Sequence, residues 1–397
     1  MTRSALQNRN YLVYLTGNTI SLHGLWVYRV ALGWFAWQLS GSELWVGIVA
    51  FTQFAPAVVF GPIFGVLADR FDRRATSVLI NSGSVINMLV LGLLTFLGHI
   101  DIHTLVLLSL VQGMLDGAHA PVRMSIVPNL VARPQLENAI AITSISFNLS
   151  RFVGPALAGV VIATWGVAAA FVINGISYLS LIAAMVVVRL NPSGAGEGAR
   201  KHPWNELVDG ARYVVTHRTI RSLLVLTALG SVFGRGALEM LPAFADVVYR
   251  GGAGALATMT SAIGGGAVIG GLVLTRGTSW LTPGVVRVLI VIAGCLVSLL
   301  GITEQLPIAV GIVATLGVTL SFCGVGSQIL IQTLVDDEVR GRVSSFWGMI
   351  AFGGTSLGAL VIGAVARLWD LQLAVGGTGL VCAALAIVSA RSSRAAR

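Results

Sequence analysis

Long apolar segments separated by short polar ones dominate the chain. Each apolar segment approaches or exceeds the roughly 20 residues with which an α-helix crosses a bilayer. The pattern predicts twelve transmembrane helices in two sets of six, divided by the polar stretch "NPSGAGEGARKHPWNE". The predicted spans are residues 10–38, 43–68, 75–97, 104–127, 137–163, 166–189, 219–248, 254–275, 282–301, 306–334, 340–366 and 370–390.

The composition favours a membrane protein over a soluble one. The chain is 55% hydrophobic and 10% charged, with a mean hydropathy of +0.86, whereas soluble domains are about 25% charged. A net charge of +9 would suggest nucleic-acid binding in a soluble protein, but basic residues orient the loops of a membrane protein. We therefore expect no nucleic-acid partner. The first apolar segment is too long for a signal-peptide core and lacks a small-residue cleavage site, so we interpret it as a retained span.

The basic residues predict which side of the membrane each loop faces. With both termini in the cytoplasm, nineteen of the 25 Lys and Arg residues lie inside and only Arg250 and Arg367 lie outside. Arg29, Arg123, Arg151 and Arg235 fall within or at the ends of spans. Cytoplasmic loops carry an excess of basic residues, so we expect both ends in the cytoplasm.

Neither a cofactor nor a metal site is indicated. The three cysteines lie in apolar segments without metal-type spacing, and we interpret them as packing residues. The outer loop "HIDIH", residues 99–103, offers two histidines and one aspartate, which is an incomplete ligand set. A phosphate-binding glycine motif is also missing, so energy must come from an ion gradient or from that of the substrate. We expect a protein that is not an enzyme.

The sequence repeats itself at an offset of 204 residues. This repeat predicts two related six-helix halves that both begin on the same side of the membrane, a duplication found in transporters. The predicted domains are 1–189, the N-terminal half; 190–218, a cytoplasmic linker with an amphipathic helix; and 219–397, the C-terminal half. The matched pairs are Leu130 with Leu334, Val131 with Val335, Gly154 with Gly358, Gly159 with Gly363, Trp165 with Trp369, and Gly175 with Gly379.

The loop between the second and third spans, "GVLADRFDRR", gathers charge that the rest of the chain lacks. It resembles the signature loop of the major facilitator superfamily, except that Asp72 replaces the usual glycine. The resemblance implies the major facilitator fold and a conformational latch, in which Asp69 faces the start of the eleventh helix and the acidic run after Val335 pairs with the arginines. The alternative is that these arginines only fix topology. The expected latch residues are Gly65, Asp69, Arg70, Arg73, Arg74, Asp336 and Asp337.

A second resemblance lies in the fifth span, "SRFVGPALAG". It is similar to the G-P-x-x-G-G element of proton-coupled exporters in the same superfamily, with Ala158 in place of one glycine. Gly154, Pro155 and Gly159 predict a bend or a tight helix interface, and ordinary helix packing is the alternative. The wider stretch around this element resembles the bacterial branch that contains the enterobactin exporter and related efflux proteins, which implies the cytoplasmic inner membrane of a bacterium.

Charged residues inside the spans are costly and are therefore candidates for function. Asp116 and Glu239 are the predicted proton-coupling residues, Asp116 first, because Glu239 has Arg235 one helical turn away. Mutually satisfied static pairs, Asp116 with Arg151 and Arg235 with Glu239, are the alternative. His23 and His119 are further candidates for proton transfer. The expected lining of the substrate cavity is Arg29, Arg151, Arg235, Asn18, Gln53, Gln112, Asn148 and Gln328.

Together these features predict a secondary active transporter that works by alternating access. We expect a proton-coupled exporter of amphipathic small molecules, drug-like or siderophore-like, that is functional as a monomer; its partners are the substrate, protons and the bilayer. An importer or lipid translocator of the same fold is the alternative. A membrane sensor or scaffold without transport is less favoured, because buried acids cost free energy.

The predicted orientation gives a labelling test. A cysteine introduced at Ser42 should react with an impermeant thiol reagent added from outside, whereas one at Ala75 should not. The reverse pattern would overturn the orientation.

Overall fold

The computed structural model describes residues 4–190, 211–336 and 339–394, and all long regular elements in these ranges are helices. The protein is an all-α membrane protein with twelve transmembrane helices in two six-helix halves. Nine helices have simple bounds, while α5 to α7 are described below. The bounds are α1 Arg9–Ser40, α2 Glu43–Arg70, α3 Arg73–Phe96, α4 Ile102–Ile126, α8 Gly252–Thr275, α9 Pro283–Ile302, α10 Leu306–Leu334, α11 Arg340–Leu368 and α12 Leu371–Arg394.

One glycine divides the helical stretch Leu136–Val187. Gly166 has φ 80° and ψ 175°, a conformation that side chains disfavour, while the dihedral angles remain helical elsewhere in the stretch, including at Pro155. We name residues 136–165 α5 and residues 167–187 α6. The chain turns at Gly166, while the backbone continues as a helix through Pro155.

The seventh span is irregular, unlike the continuous helix that its length predicted. An α-helix covers Arg218–Leu229, a π-helix covers Gly230–Arg235, and the chain turns at Glu239 and Met240 before a second π-helix at Phe244–Val248. We name the whole span, residues 218–248, α7. Pro242 has no backbone N–H to donate, and π-helical turns are frequent at functional sites.

The lengths and surfaces of the helices fit a bilayer. Ten segments of the described chain are long and apolar enough to cross it. The 55-residue segment Arg133–Val187 contains both α5 and α6, and α1, which has 32 residues, lies outside the ten; together these give twelve spans. On α3, Leu79, Ile86 and Leu93 are 74%, 64% and 56% exposed at intervals of seven residues. Such a stripe faces lipid.

Contacts divide the chain into two compact units that are described separately. Unit 1 comprises Met1–Phe35 and Pro56–Ala199, and unit 2 comprises Ala36–Ala55 and Arg200–Arg397. Residues 36–55, which the predicted orientation places outside and which we call the outer hairpin, are assigned with unit 2. The boundaries drawn from sequence keep whole helices together instead. Those boundaries remain a prediction. Of the proposed linker helix, residues 211–216 are helical, and residues 191–210 lie outside the described chain.

Glycines at equivalent positions of the sequence repeat make equivalent helix contacts in the two units. Gly154 on α5 packs against Trp26 on α1, and its counterpart Gly358 on α11 packs against Val232 on α7. Gly175 on α6 lies against α3, where a Cβ would be 3.2 Å from that of Met88, and its counterpart Gly379 on α12 lies against α9. Equivalent glycines thus support equivalent helix contacts inside each unit.

The outer hairpin packs on α7 and α11 within unit 2. Trp37 Nε1 donates a hydrogen bond to Asp246 Oδ2 at 2.8 Å, and Ser356 Oγ donates to the carbonyl of Phe51 at 3.2 Å. The rings of Phe54 and Phe352 stack with centroids 6.3 Å apart. Polar and aromatic contacts therefore hold this hairpin to unit 2.

The charged loop between α2 and α3 has a local structural role at Asp72. This residue is the N-cap of α3, and its Oδ1 accepts from the backbone N–H of Ala75 at 2.7 Å. The aspartate that departs from the superfamily pattern thus satisfies a donor that the helix leaves unpaired. In the first turn of α3, Arg74 donates to the carbonyl of Val186 at the end of α6.

Removing this cap should lower stability. Asp72→Ala should cost about 0.5–2 kcal/mol, whereas Asp72→Asn should be close to wild type and Asp72→Gly should lose only a few tenths of a kcal/mol. The midpoints of thermal unfolding of the three purified variants in detergent would rank their stabilities against the wild type. Equal midpoints for the alanine variant and the wild type would show that the cap contributes nothing.

Candidate substrate and proton site

A buried network of polar side chains surrounds Asp116 in unit 1. Gln112 Nε2 lies 3.0 Å from Asp116 Oδ1, and the hydroxyl of Tyr178 lies 3.4 Å from the same oxygen. Gln112 in turn contacts Ser84 Oγ at 3.2 Å and accepts from Asn87 Nδ2 at 3.2 Å. Gln112 on α4 and Tyr178 on α6 thereby donate to the carboxylate, while α3 contacts Gln112. Hydrogen bonds to a carboxylate favour its ionised form.

The α3 members of this network were missed by the sequence analysis, which searched for charges and found none in that helix. Ser77, Asn81, Ser84 and Asn87 recur at intervals of three or four residues and are 0%, 1%, 2% and 6% exposed. A polar stripe at helical spacing on an otherwise apolar span was the signal available. It marks the face of α3 that packs on α4.

His119 lies one turn from Asp116 and continues the network. Its Nε2 is 3.2 Å from Asn81 Nδ2 and 3.3 Å from Ser77 Oγ. Because the amide nitrogen of Asn81 can only donate, this contact requires an unprotonated Nε2. His119 is therefore placed as a hydrogen-bond acceptor inside unit 1. By contrast, His23 Nδ1 lies 2.7 Å from the carbonyl oxygen of Thr19, which makes it a donor within its own helix.

Two aromatic rings and three arginines form a second cluster in unit 1, which we call the guanidinium cluster: Trp26, Arg29, Arg123, Phe147 and Arg151. The Cζ atoms of Arg29 and Arg151 lie over the indole of Trp26, 4.9 Å and 5.4 Å from its centre. Arg123 Cζ lies 5.9 Å from the centre of the Phe147 ring, and the two rings meet edge to face at 6.3 Å. Such distances are those of cation–π contacts.

Helix geometry explains how these side chains meet. Trp26 and Arg29 are three residues apart on α1, and Phe147 and Arg151 are four apart on α5, so each pair shares a helix face. Gly154, one turn beyond Arg151, lets α1 approach α5 at Trp26. Gly154 of the motif in the fifth span thus lies at a close contact between α1 and α5; the role of the whole motif stays a prediction.

The two clusters are linked by charge. Arg29 and Arg123 both interact electrostatically with Asp116. Arg29 therefore makes a cation–π contact with Trp26 and interacts electrostatically with the carboxylate of Asp116. A group shared in this way can connect ligand binding with the charge state of the acid.

Unit 2 holds a separate pocket beside Arg235. It is small, with a cavity volume of about 10 Å³, and the Nη2 atom of Arg235 is 2.6 Å from the position that a Cβ on Gly324 would occupy. The irregular backbone of α7 directs this side chain toward α10. Pairing of Arg235 with Glu239 remains a prediction, because a turn replaces the regular helix at Glu239. The pocket is lined by Leu226, Thr227, Gly230, Ser231, Arg235, Ile290, Leu320, Cys323, Gly324, Trp347 and Ala351.

The remaining candidates are distributed between the units. Asn18 is 2% exposed in unit 1, while Gln53 and Gln328 are half-buried in unit 2. The side chain of Asn148 lies outside the described residues.

The expected latch is described only in part. The described residues do not include Asp337. They also exclude the surroundings of Gly65 and the side chains of Asp69 and Arg70. Asp336 Oδ2 accepts from the hydroxyl of Tyr213 at 3.3 Å. The latch therefore stays a prediction.

The loop 99–103 is organised by helix capping. Asp101 is the N-cap of α4 and its Oδ1 accepts from the backbone N–H of Thr104 at 2.9 Å. Hydrogen bonds from Thr104 lower the pKa of the Asp101 carboxyl below its ordinary value. Within the described residues, no group of three His, Cys, Asp or Glu side chains is placed to hold a metal ion.

Comparison with known proteins decides the family. The family model described as "Transmembrane secretion effector" (MFS_3), a branch of the major facilitator superfamily, matches residues 2–395. The chain belongs to this family. It is a transporter, and it is not an enzyme.

Relatives with curated descriptions place this MFS_3 chain near siderophore transporters. It is 24% identical over 367 residues to the staphyloferrin A transporter of Staphylococcus aureus, covering 90% of both chains. It is also 24% identical over 344 residues to the enterobactin exporter EntS of Escherichia coli O1:K1, covering 86% of this chain and 78% of the relative.

Solved structures show the fold of the MFS_3 chain. A bacterial homologue of the human lysosomal transporter Spinster, inward-facing and unoccupied, aligns with a TM-score of 0.76 at 16% identity, covering 98% of this chain and 97% of that one. The nucleoside transporter NupG aligns with a TM-score of 0.72 at 14% identity, covering 97% and 99%.

The contact at Gly154 gives a test of the site's architecture. A Cβ at Gly154 would overlap Trp26, so Gly154→Val should force α1 from α5 and destabilise the protein by about 1–3 kcal/mol. Gly311→Val is the matched control, because that glycine is also inside a helix but has open space around it. Thermal unfolding in detergent would compare them. Equal losses in both variants would contradict the tight interface.

Proposed function

We propose that the protein is a proton-coupled exporter of amphipathic small molecules, siderophore-like or drug-like, in the cytoplasmic membrane of a bacterium. It acts as a monomer with both termini in the cytoplasm, and its two halves alternate access to a central site. The observation that carries this proposal is Asp116, an acid inside a membrane span with donors from α4 and α6 and the electrostatic influence of Arg29. The descriptions of the enterobactin and staphyloferrin A relatives support the direction and the substrate type.

Asp116 supplies the proton-carrying step. A carboxylate beside a guanidinium stays ionised, whereas one separated from it in a low-dielectric site takes up a proton. A movement of α1 that changes the distance between Arg29 and Asp116 therefore links protonation to conformation. The hydroxyl of Tyr178 and the amide of Gln112 hold the carboxylate in one orientation during this change.

The outer hairpin contributes the second conformational element. Opening toward the outside requires residues 36–55 to leave α7 and α11, which breaks the bond from Trp37 to Asp246. Single hydrogen bonds to a charged group are worth about 1.5–3 kcal/mol. Such a contact is weak enough for a transport cycle to break repeatedly.

The decisive experiment removes the charge of Asp116 without changing its shape. Asp116→Asn should abolish substrate accumulation driven by a pH gradient in proteoliposomes, while equilibrium binding survives, because the neutral amide mimics the protonated acid permanently. Enterobactin, staphyloferrin A and ethidium are the substrates to screen by counterflow. Asp101→Asn is the control, since that acid lies in an outer loop and caps α4.

Glu239→Gln provides the comparison with the second acid. We expect it to retain coupled transport. Full pH-gradient-driven transport by both the Asp116→Asn and Glu239→Gln variants would refute proton coupling through these sites.

A further inference from the structure

We infer that the pocket beside Arg235 in unit 2 binds one small anion, a chloride ion, which neutralises Arg235 and connects α7 with α11. The inference goes beyond the proposed function and does not depend on proton coupling. The pocket lies among α7, α9, α10 and α11, and all the residues that line it belong to unit 2.

The first argument is the charge of Arg235. This residue lies near the middle of α7, within a membrane span. In the described part of the chain, the electrostatic influence on its guanidinium comes from Cys323, whose thiol is ordinarily neutral. A guanidinium inside a span is costly when no opposite charge accompanies it. An anion beside Arg235 would reduce that cost.

The second argument is an unpartnered donor at the same pocket. Trp347 lines the pocket, and its indole Nε1 is buried without a hydrogen-bond partner among the described residues. A buried donor that lacks a partner costs free energy. Because an indole N–H can only donate, the group that satisfies it must be an acceptor. An anion meets this requirement.

The third argument is the sign of the polar groups around the pocket. Besides Arg235 and Trp347, two hydroxyl residues, Thr227 and Ser231, line it. The hydroxyl of Thr227 donates to the carbonyl of Leu223, whereas a serine hydroxyl can rotate to donate to a ligand. The residues that the structure places around this pocket include no carboxylate. The pocket therefore offers donors to an anion and no negative group to a cation.

The fourth argument is size. The cavity volume of about 10 Å³ corresponds to the space of roughly one water molecule. A chloride ion is close to a water molecule in size, whereas a carboxylate group already has three heavy atoms. A water molecule would satisfy the indole but leave the guanidinium charge without compensation. Chloride meets both requirements at once.

The fifth argument is the position of the donors. Arg235 and Ser231 lie in the π-helical segment Gly230–Arg235 of α7, and Trp347 lies on α11. Such turns are frequent at functional sites. Arg235 is half-buried, and charged groups within spans face the bundle interior or a water-filled cavity. An ion from water can therefore reach the pocket, where it would link the irregular part of α7 to α11.

A chloride titration tests the inference at equilibrium, without a gradient or a substrate. The full chain, purified in detergent with gluconate as the only anion, receives increasing chloride at constant ionic strength. The midpoint of thermal unfolding should rise and reach a plateau, because a ligand that binds only the folded state stabilises it. A midpoint that does not respond to chloride would overturn the inference.

Acetate provides the second arm of the titration. It has the same charge as chloride but carries it on a carboxylate, the group that an acidic substrate would present. Acetate should raise the midpoint less than chloride does at equal concentration, since the cavity has room for one atom. An equal or larger effect of acetate would contradict the argument from size and assign the pocket to a carboxylate instead.

An arginine pair of variants assigns the chloride response to the pocket. Arg235→Gln should abolish the rise in midpoint, and Arg235→Lys should retain part of it. Arg287→Gln is the matched control, because that arginine of unit 2 is bound to Ser222 and Ser389. A wild-type response in Arg235→Gln would place the chloride elsewhere and refute the assignment.

The indole donor has its own pair of variants. Trp347→Phe should weaken the apparent affinity for chloride about tenfold, because a hydrogen bond to a charged group is lost. Trp280→Phe is the control, since the Nε1 of Trp280 donates to the carbonyl of Gly277. Equal chloride affinity in Trp347→Phe and the wild type would exclude the indole from the site and refute the inference in this form.

The same two buffers separate chloride from a counter-charge inside the protein, such as the pairing with Glu239 that the sequence predicts. In gluconate, Arg235→Gln should be at least as stable as the wild type, because the substitution removes a charge that lacks compensation. In chloride, the variant should be the less stable of the two. A loss of equal size in both buffers would demonstrate an internal counter-charge and overturn the inference.

These measurements are independent of the proposed function. A chloride response in a protein that lacks pH-driven transport would leave the anion site standing and refute proton coupling. Coupled transport by a protein that does not respond to chloride would do the reverse.

Discussion

The free-energy cost of placing charge and unpaired polar atoms in hydrocarbon governs this structure. Apolar side chains such as Leu79 and Ile86 occupy the lipid-facing side of α3, while its polar side chains lie against α4. Because lipid offers no hydrogen bonds, each buried polar atom needs a partner from a neighbouring helix. Polar function and helix packing are therefore inseparable in unit 1.

Small residues make that arrangement possible. Close approach at Gly154 brings α1 to α5, and the rings of Trp26 and Phe147 then meet. The duplicated position Gly358 brings α11 to α7 in unit 2. The same packing rule was thus used twice, and in unit 1 three arginines lie beside it.

Arg29 connects the two clusters of unit 1. Its Cζ lies over the indole of Trp26, and its charge acts on Asp116, the proposed proton carrier. A movement of α1 that carries Arg29 therefore changes both interactions.

The sequence by itself determined the spans, the family and the repeat, because hydrocarbon imposes length and polarity on each helix regardless of its neighbours. It also identified Asp116, Arg29 and Arg151 as candidates, since charge inside a span is conspicuous. Only the tertiary structure showed that Ser84 and Asn87 join the Asp116 network, that α7 is interrupted, and that Trp26 lies under two guanidinium groups. These features depend on which helix faces meet. A periodic pattern shows which face of a helix is polar, but it does not show that Asn87 meets Gln112, 25 positions away, or that Arg151 lies over the ring of Trp26.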